Sequence, residues 1–235
     1  MDVNIYPTDN RFGGDFMNFC IREAKVNLPE WYRKSSSYTE KVQTPYEKDH
    51  SMTMKKCIPI LDYLSSGLNL HLPFALYGEG KYPNRKIVAS LNDPDCKLSG
   101  HHPDQRQGYP VSDKYDPVPL KIDFPYTIEA PRGYSALFIG ISDDANTPLL
   151  FPPAIVETDK YLSQVNFPFF IKKEWEGKID AGALFMKVIF VRREDFKINY
   201  LTYEDAKGRN DQHGMLVKTF GAGFYKKLKL DKFMP

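Results

Sequence analysis

Six short segments between Val118 and Arg193 constrain the fold of this 235-residue chain more than any other feature. Each segment is rich in β-branched and aromatic residues, and Pro, Gly or Asp separates it from the next, which is the composition of strands joined by turns. The predicted strands are Pro119–Asp123, Tyr126–Ala130, Tyr134–Ser142, Ala154–Glu157, Val165–Lys172 and Leu184–Arg192. With 42% hydrophobic residues, the chain can bury a sizeable core.

The stretch 53–91 adds a helix and a hairpin to this β-rich middle. The apolar residues of Thr53–Ser66 recur at helical spacing, which predicts an amphipathic helix. Leu68–Tyr77 then alternates strictly, so the pattern predicts a strand with one buried face, and Pro73 places it at an edge or a bulge. Lys86–Leu91 is expected to return beside it as the second strand of a hairpin.

These patterns predict a mainly-β fold, either an antiparallel β-sandwich or a jelly-roll-like barrel, with a few short helices and extended terminal arms. The predicted division is an N-terminal arm with short helices (1–67), a β-sandwich or barrel core (68–193) and a C-terminal arm (194–235). Glu194–Ala206 is interpreted as a short helix. Asn92–Asp116 is polar and rich in Pro, Gly and Asp, which indicates a functional loop or an arm that grips a neighbour.

Charge and cysteine content restrict the class of protein. The formal net charge of +2 indicates neither a nucleic-acid binder nor a binder of acidic surfaces, and the basic cluster Lys226–Lys232 is interpreted as a solvated tail. Three widely spaced cysteines without a CxxC motif fit structural thiols in a reducing compartment. No apolar signal segment opens the sequence and no apolar run is long enough for a membrane span, so we expect a soluble protein made in the cytoplasm.

Side chains suited to catalysis or metal binding are sparse. His101, His102 and Asp104 form the clearest metal candidate, and a third imidazole could come from His71 or His50. A polar loop with hydrogen-bonded imidazoles is the simpler interpretation, because neighbouring residues of an extended segment point to opposite faces. His71 falls on the polar face of its strand, where we expect it to be solvated or packed at an interface. No Ser-His-Asp, Cys-His or Gly-x-Ser-x-Gly arrangement is present, and no cofactor is expected.

Several pieces of residues 56–193 resemble an uncharacterised family of bacterial and phage hypothetical proteins. The matching pieces are Lys56–Asp62, Phe124–Ile128, Pro131–Ser135, Asp159–Tyr161, Val165–Phe169 and Ala181–Ala183. The resemblance implies a single domain over this span and no particular activity.

A second, local resemblance is to the dUTPase-like β-barrel. Three pieces follow the strand order of that family: Pro131–Tyr134, Ile155–Tyr161 and Ile179–Ile189. The resemblance implies that Asp159 and Tyr161 lie near the hairpin that binds uracil, and that the aromatic-Gly-x-Gly-aromatic tail from Phe220 to Phe224 closes over a base. The chain departs from the family at the phosphate-binding segment, because the carboxylates of Asp143–Asp144 would repel a triphosphate.

We therefore expect a non-enzymatic structural or interaction protein. The phage resemblance sharpens this to a virion component (a head decoration, neck or tail protein) that assembles through its arms with copies of itself or with other virion proteins. No membrane contact and no direct nucleic-acid contact is expected. The alternative is a dUTPase-like nucleotide-binding protein or hydrolase, with Asp159, Tyr161, Phe220 and Phe224 binding the ligand. A third possibility is a metal-dependent, cupin-like enzyme that uses His101 and His102.

Overall fold

The computed structural model of the chain describes residues 2–39, 52–141 and 147–205. Fourteen strands dominate this part of the chain, which confirms the mainly-β prediction. The strands are β1 (Asn4–Pro7), β2 (Ile21–Glu23), β3 (Leu68–His71), β4 (Leu76–Glu79), β5 (Lys86–Ala89), β6 (Lys97–Gly100), β7 (Leu120–Asp123), β8 (Tyr126–Glu129), β9 (Tyr134–Gly140), β10 (Leu149–Leu150), β11 (Ala154–Val156), β12 (Asn166–Ile171), β13 (Gly177–Ile179) and β14 (Leu184–Arg192). The helices are α1 (Gly14–Cys20), α2 (Glu30–Lys34) and α3 (Ile58–Ser65), with 3-10 turns at Asn10–Phe12, Ala24–Val26, Met54–Lys56 and Pro103–Arg106.

The strands of the described residues form four sheets, and neighbouring strands are antiparallel throughout. The largest sheet has the order β11-β9-β14-β3-β2, and the next has the order β10-β12-β7-β6. Two smaller sheets have the orders β13-β4-β5 and β1-β8. These strands close no barrel, so of the two predicted forms the structure agrees with the sandwich.

Aromatic side chains fill the core between the two largest sheets. Phe138 of β9 and Phe185 of β14 each lie 5.5 Å, centroid to centroid, from Phe167 of β12. Phe124, which follows β7, lies 5.6 Å from the same ring. Aromatic pairs at such distances add about 0.5–1.5 kcal/mol each beyond the burial of their area, so this cluster joins the sheets strongly.

The alternating segment Leu68–Tyr77 differs from its prediction. It forms two strands, β3 and β4, separated around Pro73. β3 lies inside the largest sheet rather than at an edge, and the alternative, a bulge, is seen beside it as a register shift between Leu184 and Met186 of β14.

The prediction of a single buried face is wrong, because Asn69 and His71, on the polar face, are only 2% and 4% exposed. The Asn69 amide donates to the Asn27 carbonyl at 2.9 Å, and the Asn27 amide lies 3.0 Å from Nε2 of His71. These hydrogen bonds connect both residues to Asn27, and burial lowers the pKa of His71 to about 4.

Contacts divide the chain into two compact units. The first contains residues 1–27 and 67–193 and holds all four sheets. The structure differs here from the predicted N-terminal arm, because β1 pairs with β8 and β2 pairs with β3. The second unit contains Leu28–Ser66 and the chain from Glu194 onward.

The helices of the second unit match one prediction and contradict another. The helix predicted over Thr53–Ser66 is present as a 3-10 turn followed by α3. The helix predicted over Glu194–Ala206 is wrong for residues 194–202, which have no regular secondary structure. Tyr203–Asp205, the last residues that the structure describes, are helical. Within the described ranges, no helix is both long enough and apolar enough to cross a membrane.

Candidate interaction site

The predicted metal candidates lie just after β6. His102 caps the short helix that follows it: Nδ1 accepts a hydrogen bond from the Asp104 N–H at 3.3 Å, and Oε1 of Gln105 accepts one from the His102 N–H at 3.2 Å. The backbone N–H of His101 donates to the Pro119 carbonyl at 3.1 Å. Across the described part of the chain, no group of three or more His, Cys, Asp or Glu side chains is placed to hold a metal ion. Capping therefore accounts for the position of the His102 ring.

The two residues singled out by the dUTPase-like resemblance lie in the turn after β11. The Asp159 side chain is only 4% exposed, and both of its oxygens accept hydrogen bonds: Oδ1 accepts from Nη1 of Arg193 and Oδ2 from the Gly133 N–H, each at 2.8 Å. Tyr161, two residues later, is 49% exposed. Asp159 thus makes internal contacts, and the predicted tail Phe220–Phe224 lies outside the described residues.

Arg193, directly after β14, is the centre of a cluster that we call the clamp. Its backbone N–H donates to the Gly133 carbonyl at 2.8 Å, and Nη1 donates to the Tyr134 carbonyl at 2.7 Å and to Oγ of Ser135 at 3.1 Å. A second guanidinium nitrogen donates to Asp159. The clamp therefore joins the β8–β9 turn, the β11–β12 connection and the end of β14. The guanidinium, followed by the Gly133 N–H, lowers the pKa of Asp159 to about 2.

Beyond the clamp, residues 194–205 form a segment that we call the arm. Its large apolar side chains are mostly in solvent: Phe196 is 85% exposed, Ile198 61%, Tyr200 92%, Leu201 65% and Tyr203 73%. Phe196, Ile198 and Tyr200 alternate at the two-residue period of a strand, yet in the part of the chain that the structure describes no strand pairs with them. Exposed apolar side chains at this density are typical of a surface that contacts another molecule.

A second apolar surface lies at the outer edge of the largest sheet. β11 is the last strand of that sheet, and among the described residues β9 is the strand that pairs with it. Its central residue, Ile155, is 66% exposed, and Tyr161 and Leu162 in the following turn are 49% and 62% exposed. The Tyr161 N–H donates to the Glu157 carbonyl at 2.8 Å, which fixes this turn. We call Ile155, Tyr161 and Leu162 the β11 patch.

Comparison with known proteins adds no relative. No family model matches this chain. No curated protein and no solved structure matches it either. The surface chemistry of the chain itself is therefore the basis for assigning a function.

Proposed function

We propose that this chain is a non-enzymatic structural protein that assembles with copies of itself through the arm. The observation that supports this is the exposure of five large apolar side chains within Phe196–Tyr203. Fully burying one such side chain is worth about 1.5–3 kcal/mol, so five of them in water favour association with a surface that covers them. Aromatic residues are also enriched in the cores of protein–protein interfaces.

The clamp supports the same proposal by giving the arm a fixed origin. The arm begins one residue after Arg193, whose guanidinium is bonded to Asp159, Ser135 and the Tyr134 carbonyl. The side chains of Arg193 and Asp159 are only 28% and 4% exposed. A segment that starts from a fixed point loses less conformational entropy when it binds than one attached to a loose end.

We further propose that the assembled protein is a component of a phage particle, as a head decoration, neck or tail protein. The support is the resemblance of residues 56–193 to a family of bacterial and phage proteins, together with assembly through an arm. Quantitative mass spectrometry of purified particles tests this proposal. We expect the chain at a fixed copy number per particle. Its absence from particles would refute the virion assignment and leave self-assembly standing.

No contact among the described residues specifically supports either the dUTPase-like alternative or the metal-dependent, cupin-like alternative. Both carboxylate oxygens of Asp159 already accept hydrogen bonds from Arg193 and Gly133, and the side chain is only 4% exposed, so a nucleotide base has little access to it. The His102 ring caps its own helix. Self-assembly is therefore the function that we propose.

Light scattering coupled to gel filtration tests self-assembly directly. A single chain has a mass of 27.1 kDa, and we expect the wild-type protein to elute with the mass of two or more chains. The variant Phe196→Ser/Tyr200→Ser should elute as a monomer, because its arm loses its two most exposed aromatic rings. Val26→Ser is the matched control, since Val26 is 80% exposed outside the arm. A monomeric wild-type protein, or a double variant with the wild-type mass, would overturn the proposal.

A further inference from the structure

The outer strands of the sheets differ in how they are protected from pairing with other chains. Natural sheets guard such strands with charged residues or Pro, because an unguarded edge is a template for another strand. The outer strands β2, β5, β6 and β13 carry a basic residue each: Arg22, Lys86, Lys97 and Lys178. The β1–β8 pair carries Pro7 and Glu129. Among the described outer strands of three or more residues, β11 alone has neither a charge nor a Pro, as its sequence is Ala154-Ile155-Val156.

The arm has the alternating sequence pattern of a strand that could pair with such an edge. Phe196, Ile198 and Tyr200 fall on one side of an extended chain, and Lys197 and Asn199 fall on the other. The pattern is that of a strand with one apolar face, but in the described residues it has no strand beside it. Within its described residues, one chain thus carries both a strand-like segment, residues 196–200, that lies beside no other strand and an unguarded sheet edge.

We infer that the arm of one copy adds as an extra strand to the free edge of β11 in a second copy. This rests on the proposed function and names the surface that receives the arm. Main-chain hydrogen bonds would pair the two segments, and the alternating side chains would decide which face of the arm lies beside Ile155. Extended residues 196–200 span about 17 Å, which is enough to cover the three residues of β11.

The exchange is reciprocal, because each copy offers one arm and one β11 edge. Two copies related by a two-fold axis satisfy both arms and both edges in a closed dimer. The exposed rings of the arm then meet the β11 patch, in which Tyr161 and Leu162 extend the apolar surface beyond Ile155. An open chain of copies would leave one arm and one edge unpaired at its ends, so the closed dimer is the state we expect.

A charge placed on the edge of β11 tests the inference in the full chain. Ile155→Lys supplies the guard that β11 lacks, at a side chain that is 66% exposed and so tolerates the change. We expect dimerisation to weaken about tenfold at each of the two contacts, and so about a hundredfold in the dimer, measured by sedimentation equilibrium. Val88→Lys is the matched control, because Val88 is 41% exposed on β5, an edge strand that already carries Lys86. Circular dichroism confirms that each variant folds.

Mixing two variants makes the test specific for arm and edge. Ile155→Lys keeps an intact arm but lacks a receptive edge, and Phe196→Ser/Tyr200→Ser keeps an intact edge but lacks a complete arm. At a concentration above the wild-type dissociation constant and below those of the two variants, each variant should be monomeric alone. A mixture can form one intact arm-to-edge contact per heterodimer. We expect a heterodimer that is detectable by sedimentation and weaker than the wild-type dimer.

The outcomes separate the inference from the function on which it rests. If the arm variant dissociates while Ile155→Lys retains the wild-type affinity, the edge assignment is overturned and arm-mediated assembly survives. The same follows if both variants are monomeric and their mixture gives no heterodimer. If both variants keep the wild-type mass, the inference and the proposed function are overturned together.

Discussion

β3 and the arm share a sequence pattern and differ in burial. Both alternate with a period of two: Leu68 and Leu70 in β3, and Phe196, Ile198 and Tyr200 in the arm. In β3 even the polar residues between the leucines are buried, whereas in the arm even the aromatic rings are in solvent. The difference follows from neighbours, because β3 lies between β14 and β2 and the arm has no neighbouring strand in the described residues. Alternation therefore determines which side chains share a face, and the neighbours of the strand determine whether that face is covered.

The largest expected effect is in the core of β3. Leu70 is fully buried in the main hydrophobic cluster, so Leu70→Ala removes apolar contacts and leaves a cavity. We expect the free energy of unfolding to fall by about 2–5 kcal/mol, measured by urea denaturation. A loss in free energy of unfolding no larger than that of a substitution at an exposed position would mean that β3 is not part of the core.

The buried polar face of β3 gives a pH-dependent effect. Unfolded His71 takes up a proton near pH 6.5, whereas the folded residue does so only near pH 4. Its contribution to stability is therefore complete above pH 6.5 and is lost as the pH falls toward 4. His71→Gln keeps a polar side chain that can accept a hydrogen bond, and we expect it to flatten the fall in Tm across this range.

The control for this measurement is His101→Gln, because the described hydrogen bond of His101 is made by its backbone N–H and not by its ring. It should retain the wild-type slope. A His71→Gln profile that also follows the wild-type slope would place His71 in contact with water, contrary to its burial.

The Arg193 side chain of the clamp is more exposed than Leu70 of β3 and less exposed than Phe196 of the arm. Loss of the clamp should therefore reduce stability less than Leu70→Ala does. Asp159→Asn removes the charge that Arg193 contacts, so we expect a lower Tm at neutral pH. The folded-state pKa of Asp159 lies near 2, below its unfolded value of 3.8. The ion pair therefore stabilises the protein above about pH 4, and this contribution is lost as the pH falls from 4 toward 2.

Thermal unfolding of Asp159→Asn as a function of pH checks this sign. Its Tm should converge on that of the wild-type protein as the pH approaches 2. Asp195→Asn, an exposed position in the arm, serves as the control and should follow the wild-type curve. A constant difference in Tm at every pH would show that the variant acts through packing rather than through charge.

The smallest effect on stability is expected in the arm itself. Phe196→Ala should change the free energy of unfolding of the monomer by no more than about 0.5 kcal/mol, because its ring is 85% exposed. Denaturation at a concentration low enough to keep the chain monomeric measures this directly. A loss as large as that of Leu70→Ala would show that the arm packs on its own chain.

Local sequence was sufficient to predict the strands of the middle of the chain. Each of the six segments predicted between Val118 and Arg193 overlaps an observed strand whose bounds differ by no more than two residues, and Leu184–Arg192 is identical. β-branched and aromatic residues define these strands, and Pro, Gly and Asp end them, so the signal lies within each segment. The break in Leu68–Tyr77 was harder to predict, because burial of its polar face depends on partners such as Asn27.

Contacts between distant residues were not predictable in the same way. Asp159 and Arg193 are 34 residues apart, and nothing near either one indicates the other. Lys187 is 2% exposed and donates to Oδ1 of Asn69, 118 residues away. A lysine in a strand usually indicates a solvent-exposed position, so its sequence context predicted the opposite. The arm could have been found from its alternation, although the sequence was interpreted there as a short helix over Glu194–Ala206.

The continuity of the arm with β14 has a mechanical consequence. β14 is hydrogen-bonded to β9 from Met186 to Arg192 and to β3 from Leu184 to Val188, so tension applied to the arm loads the middle of the largest sheet from both sides. Pulling along the strand direction shears many ladder bonds at once instead of opening them one at a time. In the proposed dimer, an arm attached in this way would hold the second copy under force, because the whole sheet would resist.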